Sequence, residues 1–287
     1  MTAAVLLIAV TAVWGVTFVQ VKDAVAVYPL FAFLAVRYAI GSAVLLPPAV
    51  PRIRGLGGNG VVAGSILGVL LAAGLALQTA GLERTTVTNT GFITGLYVLL
   101  TPLFALALFH TRITRELWLA VALALLGLTL LAGVPSSSAT GDLLVLASTA
   151  AQALQIVMVE RYARRYDAVG LVFVEILVAC LGCTAVALAL GDLSVPHGRT
   201  VWAALIVTGI FASALAYLIQ IWAQRRISAT RIAIIFSLET VWAGFFGYVL
   251  DGDRVGLLGL VGCGLIFVAI LVAEPAAAAV LRRLARR

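Results

Sequence analysis

Residues Ile234 to Ala273 read IIFSLETVWAGFFGYVLDGDRVGLLGLVGCGLIFVAILVA. Two apolar runs are joined by Asp251-Gly252-Asp253-Arg254, and Glu239 stands inside the first run. The second run, from Val255 to Ala273, is rich in glycine and carries no charge. The same organisation occurs from Leu99 to Gly133, LLTPLFALALFHTRITRELWLAVALALLGLTLLAG. There the polar joint is His110 to Glu116, and Pro102 lies near the place taken by Glu239. A charge inside a membrane-length apolar run is costly and faces protein or a water-filled cavity. One stretch seen twice points to a duplicated membrane protein.

Composition agrees. Hydrophobic residues make up 63% of the chain and charged residues 11%, against about 45–50% and about 25% in soluble domains. Lipid replaces water around such a chain, and apolar runs of about 20 residues match the hydrocarbon thickness. Ten such runs are readable, at residues 3–21, 30–46, 61–80, 87–109, 117–133, 143–159, 169–190, 201–223, 232–250 and 255–273. The first has no basic residue ahead of it, so it reads as a membrane helix rather than a cleaved signal. Pro47-Pro48 and Pro51 are expected to end the second helix. The small, uncharged joint Val134 to Gly141 divides the halves. The expected organisation is therefore 1–135 as a first five-helix repeat, 136–275 as a second, and 276–287 as a basic tail.

The fold class expected is an all-α membrane protein, ten transmembrane helices in two inverted five-helix repeats. Five helices per half is an odd number, so the second half must run opposite to the first, as in many secondary transporters. Placing the N-terminus in the cytoplasm puts fourteen Lys and Arg residues on the inner side, from Arg52 and Arg54 to the tail Arg282 to Arg287. It leaves Lys22, Arg84, Arg199 and Arg254 outside, with Arg37 inside a helix. That bias places both termini in the cytoplasm of an inner (plasma) membrane protein. The net charge of +7 then reflects topology and contact with the lipid bilayer, not a nucleic-acid surface.

Several chemistries find no support. Cys180, Cys183 and Cys263 lack companion ligands and read as small buried hydrophobes, so no metal and no cofactor is expected. His110 and His197 both fall in joints, which leaves general-base catalysis at membrane depth without its usual residue. No P-loop is present for nucleotide-driven pumping. The chain is read as not an enzyme, although an intramembrane enzyme and a sensor remain as alternative classes.

At these residues the chain resembles the drug/metabolite transporter superfamily, in its EamA-type ten-helix branch. The resemblance rests on Trp14-Gly15-Val16-Thr17-Phe18 in the first helix and on Pro29 followed by Arg37. It rests further on Leu100-Thr101-Pro102-Leu103 with Gly127 to Gly133, and on Ser237-Leu238-Glu239-Thr240-Val241 with Gly262 to Ala269. Thr240 departs from the pattern where relatives carry proline, and Asp253 replaces a glutamate. The resemblance covers essentially the whole chain. It implies alternating-access export of small metabolites, commonly amino acids, with aromatic or hydrophobic ones favoured, as in exporters of the YddG type. Another small metabolite or a drug-like solute is the alternative cargo.

A transporter of this kind needs a polar cavity in an apolar bundle. The candidate substrate-binding residues are Trp14, Thr17, Gln78, Thr94 and Tyr97 in the first half. In the second half they are Gln152, Gln155, Tyr217, Gln220, Glu239 and Trp242. Amides both donate and accept, and Trp and Tyr give flat walls with one polar edge. Gln152 and Gln155 share a helix face, as do Glu239 and Trp242. Glu239 is also the candidate for proton exchange during the cycle. Arg37 and Glu175 are expected beside the cavity, as a structural tie. Trp118, Trp202 and Trp222 suit the membrane interface. Gly60, Gly64 and Gly68, and Gly91 with Gly95, supply small faces for close helix packing. Oligomeric state stays open between monomer and homodimer.

Overall fold

A computed structural model describes residues 2–131, 138–250 and 256–273. Among them every regular element is helical. This is the expected outcome for backbone in hydrocarbon, where each N–H and C=O must find its partner within the segment. The helices are α1 (Thr2–Val25), α2 (Leu30–Leu82), α3 (Val87–Gly95), α4 (Tyr97–Phe109), α5 (Arg115–Leu131) and α6 (Ala139–Ala163). There follow α7 (Ala168–Leu190), α8 (Arg199–Val207), a π-helical stretch (Thr208–Leu215), α9 (Ala216–Gln224), α10 (Ala229–Phe236), α11 (Leu238–Leu250) and α12 (Leu257–Ala273). Seven stretches are long and apolar enough to cross a membrane, and α12 is a shorter apolar helix. The protein is thus a multi-pass helical membrane protein. The expected boundary at 134–137, the joint 251–254 and the tail 276–287 lie outside the described residues.

The joints carry local signals. Thr86 accepts a hydrogen bond from the Asn89 backbone N–H and opens α3. Asp167 accepts from Val169 and Gly170 and opens α7. Each satisfies amides that a helix start leaves unpaired. Gly191 closes α7 in the left-handed region.

One expectation is corrected. Pro47, Pro48 and Pro51 do not end the second helix; all three lie within helical backbone. The break comes at Gly57, with φ 61° and ψ 178°, a conformation open essentially to glycine alone. A straight α2 would run about 80 Å, far beyond the bilayer. Its contacts show that it folds back. Gly41, ahead of the break, lies against Ile176, while Gly64 and Gly68, beyond it, lie against Val174 and Val178. Two arms of α2 therefore pack on the same level of α7. A Cβ on Gly68 would stand 2.5 Å from the Glu175 carbonyl oxygen, so the glycine row sets how close these helices come.

Two other apolar runs are broken at matching places. Between α3 and α4 the chain tightens at Leu96, and between α10 and α11 it tightens at Ser237. Pro102 sits one helical turn further past its break than Glu239 does, so the two are not equivalent positions. Arg37 and Glu175, in contrast, stand equally far from the starts of α2 and α7. The breaks face each other: Gly91 meets Ala243, Gly95 meets Thr240, and Thr240 Oγ1 donates to the Gly91 carbonyl at 2.9 Å. Elsewhere α5 packs along α12, α6 against α2 and α4, and α1 against α8, α9 and α11.

Candidate functional site

Two adjoining cavities lie where α1, α2, α6 and the broken helices converge. The first is lined among others by Trp14, Thr17, Arg37, Gln78, Gln152, Tyr217 and Glu239. The second is lined by Trp14, Tyr97, Gln152, Gln155, Tyr217, Gln220 and Phe236 with a few aliphatic side chains. Trp14, Gln152 and Tyr217 belong to both, so they form the wall between the two spaces.

The aromatic wall has defined geometry. Trp14 meets Phe236 edge-on, with centroids 4.8 Å apart, and meets Tyr217 at 5.8 Å. Tyr97 meets Phe236 at 6.4 Å. These are favourable tilted arrangements. The Trp14 indole N–H donates to the Ala212 carbonyl at 2.9 Å, inside the π-helical stretch. Arg37 Nε donates to Ser213 Oγ, one residue further, also at 2.9 Å. A π turn shifts backbone and side-chain positions relative to an α-helix, and such turns are frequent at functional sites.

The polar groups are largely committed to one another. Tyr97 Oη donates to Glu239 Oε2 at 3.2 Å. Gln78 Nε2 donates to Thr94 Oγ1 at 2.9 Å. A chain of amides runs from α9 into α7. Gln220 Nε2 donates to Gln155 Oε1 (3.0 Å) and to Gln224 Oε1 (3.0 Å), and Gln155 Nε2 donates to Glu175 Oε1 at 2.7 Å. The other oxygen of Glu175 is buried without a partner, as is Gln220 Oε1.

Nine of the eleven candidate residues line one or both cavities. Thr94 stands one hydrogen bond behind Gln78. Trp242 lines neither: its Cβ presses on Gly15, its ring stacks on Phe246 at 6.2 Å, and its indole nitrogen is buried without a partner. Arg37, expected beside the cavity, lines it. It forms no ion pair with Glu175; the two side chains take separate partners, Ser213 and Gln155. Phe236 and Gln224 were not read from the sequence. Phe236 sits in an unbroken apolar run that gives it no distinction, whereas the four-residue spacing of Gln220 and Gln224 is a readable helix-face signal. Trp118 and Trp202 are partly exposed, and Trp222 lies under the Arg226 guanidinium at 4.6 Å. Among the described residues no cluster of metal-ligating side chains occurs.

An apolar helical bundle around a charged, aromatic-walled chamber is the build of a solute transporter. The chain belongs to the EamA-like transporter family of the drug/metabolite transporter superfamily, which it matches over residues 1–133 and 139–273. It is 29% identical over 273 residues to a protein of Archaeoglobus fulgidus described as an uncharacterized transporter, covering 92% of this chain and 82% of that one. A solved crystal structure superposes with a TM-score of 0.76 at 18% identity, over 99% of each chain; that likeness concerns the fold alone. The protein is accordingly a membrane transporter of a small-molecule substrate, not an enzyme.

Proposed function

We propose that the protein exports amino acids with aromatic or other apolar side chains, by alternating access through the joined cavities. The observation that carries this reading is the make-up of the chamber. Both charged groups, Arg37 and Glu239, line the first space, while Trp14, Tyr97, Tyr217 and Phe236 line the second together with the amides of Gln152, Gln155 and Gln220. Pockets that hold small polar-apolar solutes combine few oriented polar groups with much apolar surface.

The reading includes ten membrane crossings, two for the arms of α2, with repeats at residues 1–135 and 136–275 and a cytoplasmic tail at 276–287. Reciprocal packing supports an inverted pair. The first helix of the first repeat, α1, packs on α8, α9 and α11, and its counterpart α6 packs on α2 and α4. The two stretches of family match, 1–133 and 139–273, divide at the same place. The excess of arginine in alternate joints supports cytoplasmic termini in an inner (plasma) membrane. Glu239, in the cavity and hydrogen-bonded to Tyr97, is the group through which a proton gradient would act.

The test is flux from proteoliposomes loaded with labelled amino acids, with and without a pH gradient. Export of phenylalanine, tryptophan or leucine is expected, and Trp14→Ala and Tyr217→Ala should reduce it at least tenfold. Folded protein that moves none of the panel would overturn the substrate assignment.

A further inference from the structure

Arg37 is poorly placed for a structural cation. It stands in the first arm of α2, only 4% exposed, and lines the first cavity. A guanidinium stays charged in any protein, and burying one without a counter-charge is costly. Yet among the described residues it makes no ion pair. Its one side-chain hydrogen bond runs from Nε to Ser213, and its Cζ lies 5.8 Å from the Tyr38 ring centroid. Among the described residues the terminal nitrogens take no protein acceptor. Glu239 lines the same cavity, and its one hydrogen bond comes from the neutral Tyr97 hydroxyl. One cavity therefore holds a cation and a carboxylate that do not neutralise each other.

We propose that Arg37 anchors a substrate carboxylate and Glu239 anchors the ammonium group of the same molecule, so that the site selects zwitterionic α-amino acids. With Nε held by Ser213, the edge bearing the two terminal nitrogens is left for the parallel pair of hydrogen bonds that a carboxylate accepts. The apolar side chain then enters the second cavity, against Tyr97, Tyr217 and Phe236. The two ends of the substrate supply the counter-charges that Arg37 and Glu239 do not give each other. The inference rests on the amino-acid reading above and adds which atoms of the substrate are recognised, and by what.

The experiment is equilibrium binding of labelled phenylalanine to the purified full-length protein in detergent, with competition by phenylalaninamide and by 3-phenylpropionate. Each analogue lacks one of the two charges, and each should compete about 100-fold more weakly than phenylalanine, because a site built for a polar group rejects ligands without it. In Arg37→Gln the gap between phenylalanine and its amide should close while the gap to 3-phenylpropionate persists. Arg37→Lys, which keeps the charge but not the fork, should fall between. Equal competition by the amide on the unaltered protein overturns the inference whether or not any variant folds, and so does an unchanged gap in a folded Arg37→Gln. Binding without charge discrimination sinks this inference alone. Neither binding nor flux of any amino acid sinks the amino-acid reading, and this inference with it.

Discussion

Glu175 is the most enclosed carboxylate among the described residues, 0% exposed, with a single hydrogen bond from Gln155. Replacing that donor strips the group of its one partner. Gln155→Leu should therefore lower stability by about 2 kcal/mol, read as a drop in thermal unfolding temperature in detergent. Glu239 has the same economy of partners but faces the cavity. Glu239→Gln keeps its size and should remove any dependence of flux on the pH gradient; a gradient-dependent Glu239→Gln protein would refute the coupling role. Gly68→Val drives a side chain into the Glu175 carbonyl and Val178, and overpacking of this kind costs about 1–3 kcal/mol. At this scale the sequence was informative where a residue type is rare in lipid. Glu239 stands out by its charge alone. It was silent on direction: Trp242 shares a nominal face with Glu239 but turns to Gly15 and Phe246, and nothing in the order of residues tells that Arg37 looks into the cavity.

At the level of elements, the broken helices and the π-helical stretch set the site's geometry. Thr240 Oγ1 bonds the Gly91 carbonyl across the two breaks. Thr240→Val should cost about 1 kcal/mol, the scale of interhelical hydrogen bonds in membranes. Deleting one residue from the π stretch would restore α-helical register there and displace Ala212 and Ser213 from Trp14 and Arg37. Loss of phenylalanine binding with the fold retained is the expected result. The apolar runs were legible because lipid demands about 20 apolar residues per crossing. Their interruptions were not. A π turn needs no special residue. The prolines of α2 misled because a membrane helix can carry proline within it where neighbouring groups re-satisfy the freed backbone, and the break itself is made by the dihedral of Gly57.

On the scale of the molecule, the arrangement makes a sidedness prediction. With Cys180, Cys183 and Cys263 replaced by alanine, a cysteine at Asn59 should react with an impermeant reagent from the cytoplasmic face, and one at Asp192 from the outer face. The reverse pattern would invert the topology. The family and the helical class were legible from composition and from the stretch around Glu239. The residue types that line the candidate site were legible, but their assembly was not, since the cavities draw on helices far apart in the chain.

The turn at Gly57 has a practical consequence. No atom lies within 4 Å of where a Cβ would stand on Gly55, Gly57 or Gly58; Leu56 packs inward against Gly170, and the glycines beside it face open space. A rigid reporter domain grafted between Gly58 and Asn59 would leave the helices undisturbed. It would also give a small protein, otherwise hidden within its detergent belt, a landmark by which single particles could be aligned and imaged.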